Sequence, residues 1–315
     1  MTVAGPSVSI VVPTYRRPGA LGDCLAALAA LTRPPGRLEV VVVDDGGGLP
    51  LDEVVAPYRE ALSLSLLRQP RSGPAAARNL GAREAGGEIL AFVDDDCRPE
   101  PSWLAVLVER LSGEARCAVG GRTVTGGGSR YAAVSQLVAD IVYSYYDADP
   151  EDGRFLASNN LALRAADFRA LGGFDERFRC AEDRDLCDRL RASGHRLVFL
   201  PGAVVRHRPA LDLGGFCRQH FAYGRGAYLY QRERARRGSG RLAEDLPFQL
   251  RLPRLAASAM ARSEHRVATA ALLCVWQAAN AAGFAAAGAQ ALVHGAGSRG
   301  SVAEAHRLGR RRRSH

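Results

Sequence analysis

Four short, mainly apolar strand candidates dominate the first third of the chain: the β-branched run Val8–Val12, then Leu38–Val43, Ser63–Leu67 and Ile89–Val93. Segments with helical patterning interleave with them at Ala20–Leu31, Pro74–Ala85 and Pro101–Leu111. Strands that lack polar alternation are buried on both faces, so the pattern predicts an α/β fold with a mostly parallel central sheet covered by helices. Sheets of that kind place ligands beyond the carboxyl ends of their strands. The residues just after each run therefore matter most.

Two runs end in carboxylates. Asp94-Asp95-Asp96 follows the fourth, and adjacent carboxylates at the mouth of a buried strand repel one another unless a cation offsets them. Hard oxygen donors there suit Mg²⁺ or Mn²⁺, although an acidic loop ahead of Pro101 would read the same way. Asp44-Asp45 closes the second run and leads into glycines, which is also ordinary turn chemistry. Arg78 stands one turn into the helix that opens at Gly73-Pro74, where a guanidinium either grips phosphate or lies on the surface. Pro13-Thr14-Tyr15 ends the first run, and Tyr15 either stacks on a base or packs in a turn.

Beyond the glycines at 126–128 come an aromatic stretch, Tyr131–Tyr146, and an acidic turn, Asp147–Asp152. Leu156–Leu163 and Leu197–Leu200 read as strands, and Ala165–Leu171 and Glu182–Ser193 as helices stopped by glycine. After Arg206 the pattern is helical over Leu213–Arg237 and Pro247–Arg262. Residues 267–293 carry no charge, a length that could cross a bilayer, but are rich in Ala and interrupted by Gly283, Gly288 and Asn280.

Charge divides at the same place. All 42 basic side chains are Arg, and the formal net charge is +9. Residues 1–205 hold 23 Arg against 27 acids, whereas residues 206–315 hold 19 Arg against 6, so the excess lies wholly in the last third. That asymmetry argues against a uniformly basic nucleic-acid binder and for an acidic working part with a basic extension. The seven cysteines are scattered with no C-x-x-C pair, which fits a reduced cytoplasmic protein better than a zinc knuckle or a disulfide framework.

Taken together, V-S-I-V-V-P-T-Y-R-R (8–17), E-V-V-V-V-D-D-G (39–46), G-P-A-A-A-R-N-L-G (73–81), I-L-A-F-V-D-D-D (89–96), N-L-A-L-R (160–164), G-G-F-D-E-R-F (172–178) and E-D-R-D-L-C-D-R-L (182–190) resemble the family 2 glycosyltransferases. The resemblance covers residues 8–210 and implies a GT-A (nucleotide-diphospho-sugar transferase) fold and an inverting reaction. It implies that Pro13, Thr14, Tyr15, Asp44, Asp45 and Arg78 line the nucleotide–sugar site. In the same site Asp94 would face the ribose, Asp95 would be a spacer, Asp96 would bind the metal, and Asp183 would be the general base. Asn160, Gly173, Phe174 and Glu182 would fall on the acceptor side, and His207 would be a further metal ligand. Acids also favour the first turn of any helix, so Glu182 and Asp183 admit a purely structural reading.

The expected organisation is a catalytic domain over 1–210, with nucleotide–sugar binding in 1–120 and the acceptor side in 121–210. A helical, basic region over 211–315 with a disordered Arg-rich tail would follow. The expected activity is metal-dependent transfer from a nucleotide-diphosphate sugar to a hydroxyl acceptor, such as a lipid-linked saccharide, in cell-envelope polysaccharide or glycolipid synthesis. Residues 206–315 would meet an anionic membrane at its cytoplasmic face, and no nucleic-acid partner is expected. A sugar-1-phosphate nucleotidylyltransferase is the rival enzyme. It would want a glycine-rich basic loop where Pro13-Thr14-Tyr15 stands.

Overall fold

The computed structural model describes residues 5–261 and 265–311, those from 294 onward by their backbone alone. Strands β1 (Val8–Thr14), β2 (Leu38–Asp44), β3 (Leu64–Arg68) and β4 (Ile89–Phe92) alternate with helices α1 (Pro18–Ala29), α2 (Asp52–Val55) and α3 (Pro74–Glu84). Next come β5 (Cys97–Pro99), α4 (Trp103–Gly113), β6 (Cys117–Thr125), α5 (Arg130–Tyr146), β7 (Leu161–Arg164), α6 (Ala165–Ala170), α7 (Glu182–Ala192) and β8 (Arg196–His207). Helices α8 (Leu213–Arg237), α9 (Leu246–Ala261) and α10 (Arg266–Arg311) follow.

The strands form one sheet in the order β3-β2-β1-β4-β7-β6-β8-β5. Pairs β1–β2, β1–β4, β2–β3 and β6–β8 are parallel, and β4–β7, β6–β7 and β5–β8 antiparallel. Thr14 pairs with Asp44, which pairs with Arg68, so three carboxyl ends finish level at one edge. Successive residues serve opposite faces: Ile10 and Val12 join the core under α1 and α4, while Val11 joins the one under α3, α6 and α7. Helix α3 lies unusually close to the sheet, because a Cβ on Gly81 would stand 2.5 Å from the Val11 side chain.

The sequence reading differs from the fold at four strands, one of them the nine-residue β6, to which it assigns nothing. Leu156–Leu163 is a strand only from Leu161, because a turn closed by Asn160 N–H to Ala157 C=O occupies its first half. Leu197–Leu200 is the first part of β8, which continues past Pro201 to His207. A register shift opposite Gly121 and Arg122 interrupts the ladder there, and such an irregularity tolerates a residue without an N–H. Strand β5 has three residues, too few to leave a period.

After His207 every element is helical. A third core of Val134, Val138, Ile141, Phe216, Leu272, Leu273 and Trp276 joins α5, α8 and α10. Helices α8 and α10 cross at two glycines: a Cβ on Gly224 would stand 1.9 Å from the Asn280 carbonyl oxygen, and one on Gly283 2.0 Å from that of Phe221. Over Arg266–Val293, α10 is long and apolar enough to cross a membrane, by length and composition. One side packs on α8, while Val267, Leu292 and Val293 are exposed. The arginines expected as a tail, Arg310–Arg313, lie outside the residues whose side chains are described.

Candidate active site

The three acidic segments converge at the carboxyl edge of β1, β2 and β4. Asp45 is buried and accepts hydrogen bonds from Gln69 Nε2 (2.7 Å), Ser72 N (2.7 Å) and Gly73 N (2.9 Å), holding the loop into α3. Asp44 accepts from Gly47 N at 2.8 Å and lines a cavity of about 570 Å³ with Gly46, Gly48, Arg68 and Gln69. Pro13 is buried in β1, and Thr14 donates to Asp95 at 2.7 Å. Tyr15 is partly exposed, with the Arg71 guanidinium 4.5 Å from its ring centre and that of Arg16 at 5.3 Å.

The metal-type cluster sits beside them. Asp96 lies 3.4 Å from His207 Nε2 across the β5–β8 pair, where Cys97 stands opposite His207. Arg17 pairs with Asp96 and, at 3.2 Å, with Asp95. Burial alone would raise Asp96, but His207 and Arg17 outweigh it and hold the carboxyl at about 2. Burial also works to lower His207, yet the Asp96 carboxylate raises it. Asp95 goes the other way, pushed up to about 6 by burial against the pull of Arg17 and Thr14. Donor atoms of Asp96, Cys97 and His207 all lie within 4.8 Å of one another. The Cys97 thiol is buried behind them, and the Asp96 carboxylate is a hard oxygen donor that suits Mn²⁺ or Mg²⁺, with the His207 imidazole beside it.

Arg78 connects the two halves. Its side chain is 3% exposed and donates to Asp94 at 2.5 Å and to Glu182 at 2.8 Å, with Phe174 packed 5.6 Å from the guanidinium. Glu182 and Asp183 open α7 behind Ala181, which takes a left-handed conformation at φ 70°. That conformation is costly for an L residue with a Cβ. Asp183 accepts from Arg184 N (2.8 Å) and Ser158 N (3.3 Å) and is only partly shielded from solvent. Burial raises its carboxyl above the ordinary value, with Arg184 and the backbone N–H groups opposing. Glu182 is raised chiefly by burial as well, against Arg78. A carboxylate held above its usual range is a better proton acceptor near neutrality.

All four residues with acceptor-side expectations are buried; Glu182 is paired with Arg78, and the other three are held by neighbouring side chains. Asn160 is 1% exposed, accepting from Trp103 Nε1 at 2.8 Å and donating to Ala203 C=O at 3.0 Å, so it ties α4 to β8. Phe174 is buried under Arg78, and its backbone exchanges hydrogen bonds with the Asn79 amide. Gly173 has φ 72°, and a Cβ there would stand 2.6 Å from Asn79 Oδ1. These residues shape the loop rather than line it. Sequence reasoning assigned no role to Tyr223 of α8, which is 47% exposed and lies near Asp183 and Glu182. It also passed over Arg71, whose signal is a basic residue in the loop that Asp45 organises.

The model of glycosyl transferase family 2 matches residues 9–171, just over half of the chain. Among curated proteins the chain is 29% identical to the glycosyltransferase AglE of Haloferax volcanii, over 72% of this chain and 74% of that one. It is 30% identical to the pre-mycofactocin glycosyltransferase of Mycobacterium tuberculosis over 71% of its own length, but spans only 48% of that relative. The structure resembles that of the mannosyltransferase PcManGT from Pyrobaculum calidifontis in complex with GDP-Man and Mn²⁺, with a TM-score of 0.62 and 22% identity, covering 91% of this chain and 81% of that one. It also resembles GalNAc-T7 with UDP, GalNAc and Mn²⁺, with a TM-score of 0.54 and 18% identity, covering 81% of this chain and 55% of the other. The fold is GT-A.

Proposed function

Because the chain belongs to glycosyl transferase family 2, we propose that it moves a sugar from a nucleotide-diphosphate donor to a hydroxyl acceptor by a single inverting displacement that depends on a divalent metal. The observation that carries this reading is Arg78, which joins Asp94 on the donor side to Glu182, the neighbour of Asp183, and so fixes the spacing between donor and base. Asp183 takes the acceptor proton as the oxygen attacks the anomeric carbon, opposite the departing diphosphate. Asp96 and His207 would hold Mn²⁺ or Mg²⁺, which when bound offsets charge on that diphosphate. Pro13, Thr14, Tyr15, Asp44 and Asp45 frame the nucleotide. The rival nucleotidyl transfer draws no support from the loop after β1.

A thermal-shift panel of UDP-, GDP-, dTDP- and CDP-sugars, each with Mn²⁺ or EDTA, tests the proposal, since a ligand that binds only the folded state raises the melting temperature. One nucleotide class should stabilise the protein with Mn²⁺ and much less with EDTA. His207→Ala should raise the Mn²⁺ concentration for half-maximal activity by roughly ten- to a hundred-fold. Stabilisation and transfer that ignore EDTA would remove the metal from the scheme.

We also place the enzyme at the cytoplasmic face of a membrane, in envelope polysaccharide or glycolipid synthesis, with 1–210 as the catalytic domain and 211–315 as the membrane-facing region. Leu246, Leu250, Leu292 and Val293 of α9 and α10 are exposed in a region with a strong Arg excess. Each Arg near an anionic surface adds about 1 kcal/mol. The full chain should co-sediment with phosphatidylglycerol vesicles and release in high salt, and Leu250→Asp with Leu292→Asp should weaken it. Equal recovery with neutral vesicles would refute an electrostatic contribution.

A further inference from the structure

A second cavity, of about 760 Å³, opens between the loop before α7 and helices α8 and α10. Four arginines line it: Arg177 and Arg179 from the loop, and Arg225 and Arg232 from α8. Arg177 is spent on Asp175 and Glu233. The other three have no carboxylate within ion-pair range among the described residues: Arg179 donates to Ser72 C=O at 2.7 Å, and Arg225 to Gln290 Oε1 at 3.0 Å. A cavity where positive charge gathers without internal compensation attracts an anion, and guanidinium groups match phosphate oxygens in pairs.

Its position gives the anion a role. Cys180, on the cavity wall, stands two residues before Glu182 and three before Asp183. Arg179 reaches from the wall to the Ser72-Gly73 loop that Asp45 holds, so the cavity is tied to that loop by a hydrogen bond and to Glu182 and Asp183 by the chain. Apolar side chains are interleaved with them, Phe221 and Leu229 on the same face of α8 as Arg225 and Arg232, and Ala287 and Ala291 on α10. Guanidinium groups set among hydrocarbon suit an amphiphile.

We propose that this cavity receives a phosphate or diphosphate ester carried by the acceptor, which fixes the acceptor hydroxyl before Asp183. The proposal rests on the glycosyl-transfer reading above and narrows its acceptor to an anionic class. Arg225 and Arg232 are exposed, so Arg225→Gln with Arg232→Gln should leave the fold intact.

The test is calorimetric titration of the full chain and this double variant with decyl phosphate below its micelle concentration, glucose 1-phosphate and inorganic phosphate, with nucleotide plus Mn²⁺ titrated separately. At least one ester should bind the wild type more tightly than inorganic phosphate and lose roughly tenfold or more in the variant, with nucleotide affinity unchanged. Preference for decyl phosphate identifies a lipid acceptor, and preference for glucose 1-phosphate a soluble one. Ester binding no tighter than inorganic phosphate, or equal in wild type and variant, overturns the proposal. Failure of the enzymatic reading would show separately, as a wild type that binds no nucleotide.

Discussion

Replacing Asp183 with Asn is expected to cut glycosyl transfer by about 10²- to 10⁴-fold while the donor still binds. Asn keeps the volume and can still accept from Arg184 or Ser158, but it cannot take a proton from the acceptor. The pH profile gives a second readout. Burial holds the Asp183 carboxyl above its ordinary 3.8, and only the ionised form works as a base. Wild-type kcat/KM should therefore fall as pH drops through a value above the usual carboxylate range, and the Asn variant should lack that limb. Near-normal turnover by the variant, measured with saturating donor, would remove Asp183 from the reaction.

Arg78→Met should be the most destabilising change in the cleft. It leaves Glu182, 8% exposed, and Asp94, 30% exposed, without the cation between them. Removing one partner of a buried pair costs about 3–5 kcal/mol, and the solvent reaching Asp94 favours the lower end. The loss should shrink as pH falls. Glu182 is already raised by burial, and without Arg78 it rises further, so the folded variant binds protons more readily than the unfolded chain and gains stability on acidification. Arg78→Lys should recover only part, because one ammonium cannot serve two carboxylates as a planar fork does. Urea unfolding at two pH values measures both effects, and a variant as stable as the wild type at neutral pH would mean the bridge contributes nothing net.

Three strands of the donor half, β1, β2 and β4, are legible in the sequence because each is an apolar run largely buried on both faces, so composition alone marks Val8–Val12 and Leu38–Val43, whereas β3 leaves Ser65 and Arg68 exposed. The acids at their ends follow from the same reasoning. What is not legible is side-chain direction. Asn160 and Phe174 sit in the right motifs, yet whether each faces the cleft or the core depends on contacts with Trp103 and Asn79, more than fifty residues away in the chain. Arg78 looks like a ligand contact one turn into a helix until Glu182, distant in sequence, is brought to its other side. Strand β8 hides behind Pro201 because its own irregularity mimics a strand end: Gly121 and Arg122 of β6 pair with Leu200 and Val204, leaving Pro201, Gly202 and Ala203 outside that ladder.

The glycines of α8 bear on how the molecule can move. Gly224 and Gly226 lie about 200° apart around the helix, on opposite sides of it. On one side Gly224 leaves no room for a Cβ before the Asn280 carbonyl oxygen of α10, and on the other a Cβ on Gly226 would stand 2.5 Å from that of Cys180. Backbone thus meets backbone at both contacts, with no rotamer between them to absorb play. A lateral push on α10, where its exposed apolar residues would seat, is handed through α8 to the peptide that carries Glu182 and Asp183. On the proposed function, the extension and Asp183 form one stiff linkage, and the position of that carboxylate is set partly by where the extension comes to rest.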